Sequence, residues 1–246
     1  MTVVPAVQLS VVVPVYNEEN KIAETVRRIS AFLALKGEPA EVLVVNDGSK
    51  DRTQEILETL SRDPQNASLK FIYSEVNHGK GYASRQGVLQ TTGRYVLLTD
   101  ADLSAPIKEV DKLISALKGG ADVAIGSRAV REKDCDVRQS LKRRISGRLF
   151  NFFVQLLVLP GIQDSQCGFK CFTQESAQKL FRAQTLDGFS FDVEVLYLAR
   201  KFGYRIAEVP VMWSQGADSR VSLLHDSTRM LKDLFKIKKL HARGRH

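Results

Sequence analysis

Cysteine is scarce in this chain, with three in 246 residues. That excludes a fold built on disulfides and suits a reducing compartment. No apolar run reaches the roughly 18–20 residues needed to cross a bilayer. The first residues, Met1-Thr2-Val3-Val4-Pro5, lack a basic stretch followed by an apolar one, so no secretory signal is expected. Internal repeats, low-complexity tracts and an interdomain linker are also missing, which predicts one domain over 1–246. Histidine is nearly absent from the polar clusters, with His78 the exception. The 43% hydrophobic content is ample for a core, and 26% charged residues is ordinary, so global disorder is excluded.

What is present in excess is positive charge, +8 overall with a pI near 9.4. It is concentrated. Residues 128–148 hold eight Lys/Arg against three Asp/Glu, and residues 228–246 hold seven against one. These two stretches carry +5 and +6, which leaves the remaining body slightly acidic, at −3. Such a local footprint points to an anionic partner met at one face.

The first half alternates regularly. Leu9 to Val15 reads as a buried strand, and Ile22, Val26, Ile29 and Leu33 then mark an amphipathic helix from Glu18 to about Leu35. Strands are expected at 41–45, 69–73, 95–99 and 121–125, with helices opening after Asp51 and Gly81 and over 107–117. Further strands are expected near 168–172 and 205–211, with helices from about Phe191 to Phe202 and at the C-terminus. Strands alternating with helices imply an α/β fold with a mainly parallel sheet covered on both faces.

Ligands of open parallel sheets bind outside the carboxyl ends of the strands. Four polar clusters fall there: Pro14-Val15-Tyr16-Asn17-Glu18, Asn46-Asp47-Gly48-Ser49, Asn77-His78-Gly79-Lys80-Gly81 and Asp100-Ala101-Asp102. Each alone reads as caps, turns or loop glycines. Four at one sheet edge read as a site. Two carboxylates two residues apart, after a buried apolar run, repel unless a cation sits beside them, and Mg²⁺ or Mn²⁺ prefers such oxygens and bridges to phosphates. Cys167 and Cys171 have no second ligand pair at zinc-like spacing and are expected to pack.

The segments VVVPVYNEE, VVNDGSKDRT, NHGKG and LLTDADL together resemble the inverting family 2 glycosyltransferases of GT-A fold. Gly126-Ser127-Arg128, DSQCGFK at 164–170, Phe191-Asp192-Val193-Glu194 and Ser219-Arg220 are similar to the polyprenyl-phosphate branch, and to its dolichyl-phosphate β-glucosyl type in particular. The resemblance implies a nucleotide-sugar-binding half over 9–126, an acceptor half over 127–226 and a basic amphipathic helix over 227–246. It implies that Pro14, Tyr16, Asn17, Glu18, Asp47 and Ser49 line the nucleotide pocket, with Gly79, Lys80, Gly81, Asp100 and Ala101. Asp100 and Asp102 would place Mg²⁺ or Mn²⁺ on the donor diphosphate. Gln166 would lie by the sugar, and Asp192 and Glu194 near the reacting centre. Arg128, Arg143 and Arg220 would hold the acceptor phosphate. Arg220 stands where the family commonly has lysine, and Ser104 where mannosyl relatives usually have glutamine, which disfavours a GDP-mannose donor.

The implied activity is transfer of glucose from UDP-glucose to a polyprenyl phosphate, with inversion. A second phosphate pKa near 6 leaves that acceptor a good oxyanion, so no strong general base is required. A GDP-mannose-dependent enzyme or a family 2 transferase with another acceptor is the nearest alternative. A nucleotidyltransferase would need a Gly-rich basic loop where VPVYNEE stands, and a nucleic-acid binder would need aromatic or polar base readers among its cations. Both basic segments are interleaved with aliphatic residues instead, and neither holds Tyr or Trp. Residues 142–162 and 228–246 combine cations with apolar faces and predict a peripheral enzyme on the cytoplasmic side of a membrane. Otherwise those faces pack on the domain itself or on another subunit of a homo-oligomer.

Overall fold

Continuous runs of β-branched residues form strands wherever both sheet faces are covered. β1 (Leu9–Val15) is buried along its whole length. It feeds α1 (Ile22–Lys36), whose Ile22, Val26, Ile29 and Leu33 turn inward, and Gly37 closes the helix at φ 65 with its N–H on Leu33 O. The helix starts four residues later than its periodicity suggests, because Asn17 takes φ 52 and the residues around it form a loop. The computed structural model describes residues 7–66, 68–130, 137–138, 151–214 and 225–242.

Next in order come β2 (Ala40–Asp47), α2 (Thr53–Ser61), β3 (Leu69–Ser74), α3 (Lys80–Leu89) and β4 (Tyr95–Thr99). A single 3-10 turn leads into α4 (Val110–Lys118), followed by β5 (Val123–Ser127) and β6 (Val137–Arg138). Residues 151–157 are helical (α5). β7 (Phe169–Thr173), α6 (Gln174–Ala183), α7 (Phe191–Lys201), β8 (Ile206–Pro210), β9 (Trp213–Ser214) and α8 (His225–Ala242) complete the described chain.

Seven strands form one sheet in the order β3-β2-β1-β4-β7-β5-β8, and β6 pairs with β9 separately. The sheet is mainly parallel, with one exception. β7 runs antiparallel between β4 and β5, pairing Leu98 with Lys170 and Lys170 with Ile125. Alternation along the strands divides the core. Val11, Val13, Leu97, Phe169 and Cys171 face the layer of α1, α2 and α4. Val12, Leu98, Ile125 and Phe172 face the layer of α3, α5, α6, α7 and α8. By the same alternation Lys170 points into the second layer, and it is fully buried there. Cys167 and Cys171 are both buried in the first layer, where burial pushes each thiol up to about 12.

The end of the sheet away from the site is pinned by Glu41. Its carboxylate accepts from Ser10 Oγ (2.7 Å), Thr92 N (2.7 Å), Thr92 Oγ1 (3.0 Å) and Lys70 Nζ (3.0 Å), joining β1, β2, β3 and the turn before β4. Burial opposes the charge, but these bonds outweigh it and hold the carboxyl below the ordinary glutamate value. A carboxyl that binds its proton more weakly in the folded than in the unfolded chain stabilises the fold at neutral pH and loses that contribution as pH falls through the carboxylate range. Glu41→Gln therefore lowers the melting temperature at pH 7, and the gap from the unaltered protein narrows as the melts are repeated below pH about 4.

Candidate active site

The strand order reverses between β1 and β4, which makes their carboxyl ends a topological switch point. β1 stays paired to β2 through Val15 but leaves β4 after Val12, so the two strands diverge and open a crevice. Pro14 falls beyond that last β4 partner, while still in register with Val45 of β2.

The loops around the crevice are stitched to each other. Asn17 N donates to Ser49 Oγ (2.8 Å), and Asn17 Oδ1 accepts from Lys50 N (2.6 Å). Glu18 N donates to Thr53 Oγ1 (2.8 Å), and Glu19 exchanges bonds with Asp51 and Arg52 N. Tyr16 stays exposed at the rim. Asp47 is buried, and its carboxylate accepts from His78 N (3.1 Å) and Gly79 N (2.7 Å). A residue expected to line the nucleotide pocket thus holds the NHGKG loop, with the His78 ring stacked on Tyr82 at 4.1 Å.

That loop delivers Lys80 to the end of β4. Lys80 Nζ lies 2.6 Å from Asp100 Oδ1. Burial works against its charge, but the fields of Asp100, Asp192 and Asp102 outweigh this and raise its pKa above the ordinary lysine value. Asp102 Oδ1 accepts from Ser104 N (2.9 Å) within a turn where Leu103 takes the unusual φ 45. Ala101 is buried, and its carbonyl accepts from Thr25 Oγ1. On the far side Gly168 lies against the Asp100 carboxylate so closely that any Cβ would overlap it. A small cavity opens there between Thr99, Asp100, Ser104, Cys167, Gly168 and Trp213.

The second half contributes a buried cation that the spacing of motifs did not single out. Lys170 Nζ donates to Asp192 Oδ1 (2.5 Å) and to Cys167 O (2.7 Å). An alternating series results, in which Asp192 lies between the fields of Lys80 and Lys170. The available signal was a lysine within an otherwise apolar strand, GFKCF, where alternation alone does not say what faces it.

Other expected residues are placed differently. Asp192 and Glu194 were expected together near the reacting centre, but two positions on a helix lie about 200° apart. Glu194 turns to Thr185, Leu186 and His241 and is fully buried there. Arg128 does not stand open. Its Nε and Nη2 both reach Asp164 at 2.7 Å, and its guanidinium lies over Trp213. Burial opposes both charges, yet each partner stabilises the other, so Arg128 is held above and Asp164 below its ordinary value. Gln166 is half-buried in the turn before Gly168. Arg143 and Arg220 lie outside the described residues.

Among the described residues no group of three or more His, Cys, Asp or Glu side chains is set to hold a metal. The site offers two carboxylates, Asp100 still 38% exposed and Asp102 with one oxygen taking no hydrogen bond among the described residues. That donor set fits a hard divalent cation such as Mg²⁺ or Mn²⁺, which completes its shell with phosphate oxygens and water.

A parallel sheet with an acidic pair at its switch point, a lysine wedged against it and a reversed central strand defines a nucleotide-diphospho-sugar transferase fold of GT-A type. Residues 10–181 match the family described as Glycosyl transferase family 2. The chain is 38% identical over 244 residues to the Dolichyl-phosphate beta-glucosyltransferase of Drosophila melanogaster, covering 95% of this chain and 75% of that protein. It is 36% identical to the Homo sapiens protein of the same name, covering 98% and 78%. Among solved structures, glucosyl-3-phosphoglycerate synthase from Mycobacterium tuberculosis in complex with Mn²⁺, UDP and glucosyl-3-phosphoglycerate superposes with a TM-score of 0.69 at 18% identity, over 96% of this chain and 80% of that one. Mannosyl-3-phosphoglycerate synthase from Rubrobacter xylanophilus gives 0.69 at 17%, over 98% and 76%. These two establish the fold. The chain belongs to glycosyl transferase family 2 and is a glycosyltransferase.

Removing one partner of a buried ion pair leaves an uncompensated charge. Lys170→Met is expected to cost about 3–5 kcal/mol in urea unfolding, and the double change Lys170→Met with Asp192→Leu to recover much of that loss.

Proposed function

We propose that this chain transfers glucose from UDP-glucose to a polyprenyl phosphate of dolichyl type, with inversion at the sugar. The observation that carries the reading is the Asp100–Asp102 pair at the switch point with Lys80 set against it. The choice of donor and acceptor rests on the nearly full-length similarity to dolichyl-phosphate β-glucosyltransferases.

Asp100 and Asp102 would hold Mg²⁺ or Mn²⁺, which when bound neutralises the charge that develops on the leaving UDP. Lys80 adds a second positive charge at the same place, fixed by the first turn of α3. Gly168 leaves free the space that the Asp100 carboxylate occupies, which any side chain at that position would take. Asp192, held by Lys170, is a fixed negative charge that stabilises positive character in the neighbourhood and needs no proton transfer. The acceptor phosphate is already ionised near neutral pH. Arg128 keeps donors beyond the two atoms engaged by Asp164, since a guanidinium has five N–H groups, and these can meet a phosphate. Arg143 and Arg220 are assigned to the same phosphate.

Membrane contact belongs to the same reading. Among the described residues no helix is long and apolar enough to cross a membrane. α5 nevertheless exposes Phe152 and Leu156, and α8 exposes Phe235 and Leu240 beside Lys236, Lys238 and Lys239. Apolar side chains next to cations suit the headgroup region of an anionic bilayer, on the cytoplasmic face.

The decisive measurement supplies polyprenyl phosphate with labelled UDP-glucose or GDP-mannose and follows label into solvent-extractable lipid. Label from UDP-glucose alone is expected, and incorporation only from GDP-mannose would overturn the donor assignment. Asp102→Asn is expected to lower metal-dependent transfer at least about 100-fold, as loss of a group aimed at the developing charge does. Replacing Phe152, Leu156 and Phe235 together by Ser should reduce co-sedimentation with anionic vesicles and leave the melting temperature within about 2 °C, because exposed changes seldom alter stability much.

A further inference from the structure

Glu194 is a fully buried carboxylate with four donors arranged around it. Thr185 N lies 3.1 Å away, Thr185 Oγ1 2.6 Å, Leu186 N 2.8 Å and His241 Nε2 2.7 Å. An ionised carboxylate only accepts, so the imidazole N–H donates. A buried carboxylate is tolerated when its lone pairs are used, so each donor matters to the others. Three come from the segment that follows α6. The fourth reaches in from the last turn of the C-terminal helix.

Residues 184–187 in turn shape the start of α3. Asp187 O accepts from Gly81 N (2.7 Å) and Tyr82 N (3.2 Å). Gln184 Nε2 donates to Gly81 O (2.9 Å) and Leu186 O (2.8 Å), and Arg85 Nη2 lies 2.9 Å from Asp187 Oδ1. Gly79 adopts φ 118 with no room for a Cβ beside Asp187 O. The first turn of α3, which presents Lys80 to Asp100, therefore rests on a segment that Glu194 ties down. α8 holds α7 at two further points, through Asp233 Oδ2 accepting from Ser190 Oγ (2.7 Å) and through His241 O accepting from Lys201 Nζ.

We propose that His241 is a positioning residue for the donor side of the site. Through Glu194 it holds residues 184–187, and through them the Gly79–Lys80–Gly81 turn, so that seating of the C-terminal helix sets affinity for the nucleotide sugar. The proposal rests on the reading above for the identity of the donor, while the contacts it runs through are those between His241, Glu194, residues 184–187 and the start of α3.

The test uses the full chain with His241→Ala and His241→Gln, the latter keeping an N–H that can reach Glu194. Hydrogen–deuterium exchange without ligand is expected to rise in peptides covering 79–89 and 184–190 for His241→Ala, and to return most of the way with His241→Gln. The KM for UDP-glucose should rise about tenfold in His241→Ala with kcat changed less than about threefold, the scale of one lost hydrogen bond to a charged group. Unchanged exchange at 79–89 overturns the proposal, as does a glutamine variant as impaired as the alanine one. If His241→Ala does not fold, Thr185→Val removes another arm of the same junction and must loosen 79–89 in the same way. If the unaltered protein does not turn over UDP-glucose, the donor reading fails and the exchange data still decide the coupling.

Discussion

A lysine ammonium in the middle of a seven-stranded sheet is the constraint on which the site depends. Lys170 reaches that position because β7 enters antiparallel between β4 and β5 and alternation turns its even-numbered residues toward α7. Water cannot solvate it, so Asp192 must, at 2.5 Å. The pairing locks the start of α7 to the sheet. The same insertion brings Gly168 against Asp100, so one reversed strand fixes the far wall of the crevice and the charge behind it.

The near wall is built by hydrogen bonds between loops. Polar residues at the ends of β1 and β2 bind each other's backbone, and Asp47 binds the loop after β3. A crevice made this way has its loops tied to one another by hydrogen bonds, which suits a reaction whose barrier falls mainly through placed charge. The cations Lys80 and Lys170 alternate with Asp100 and Asp192, so each ionised group at the site has an opposite neighbour. On the proposed reading, a nucleotide diphosphate with its cation would enter that pattern as a further pair of opposite charges.

Much of this was legible in the residues. The runs VVVPV, VLVVN and YVLLT identified their strands because a central parallel strand is buried on both faces and needs no alternation. The four polar clusters at the strand ends identified the crevice because chain direction puts those ends on one edge. Less visible was what the second half contributes. Asp192 and Glu194 look alike in the string FDVE, yet one faces Lys170 and the other faces Thr185, Leu186 and His241, which the register of a helix against its neighbours decides. Arg128 reads as an open phosphate ligand until Asp164, thirty-six positions on, closes on it in a bidentate pair.

By itself the sequence determined the α/β class, the strand ends at which the crevice opens and the acidic pair at one of them, because these follow from local periodicity and from the direction of the chain. Tertiary structure alone decided the reversed insertion of β7, the partner of each buried charge and the tie from α8 to the first turn of α3. Those contacts join residues tens to more than a hundred positions apart, and their partners are selected by the cost of burying an unpaired charge, a quantity that exists only once the chain has closed around it.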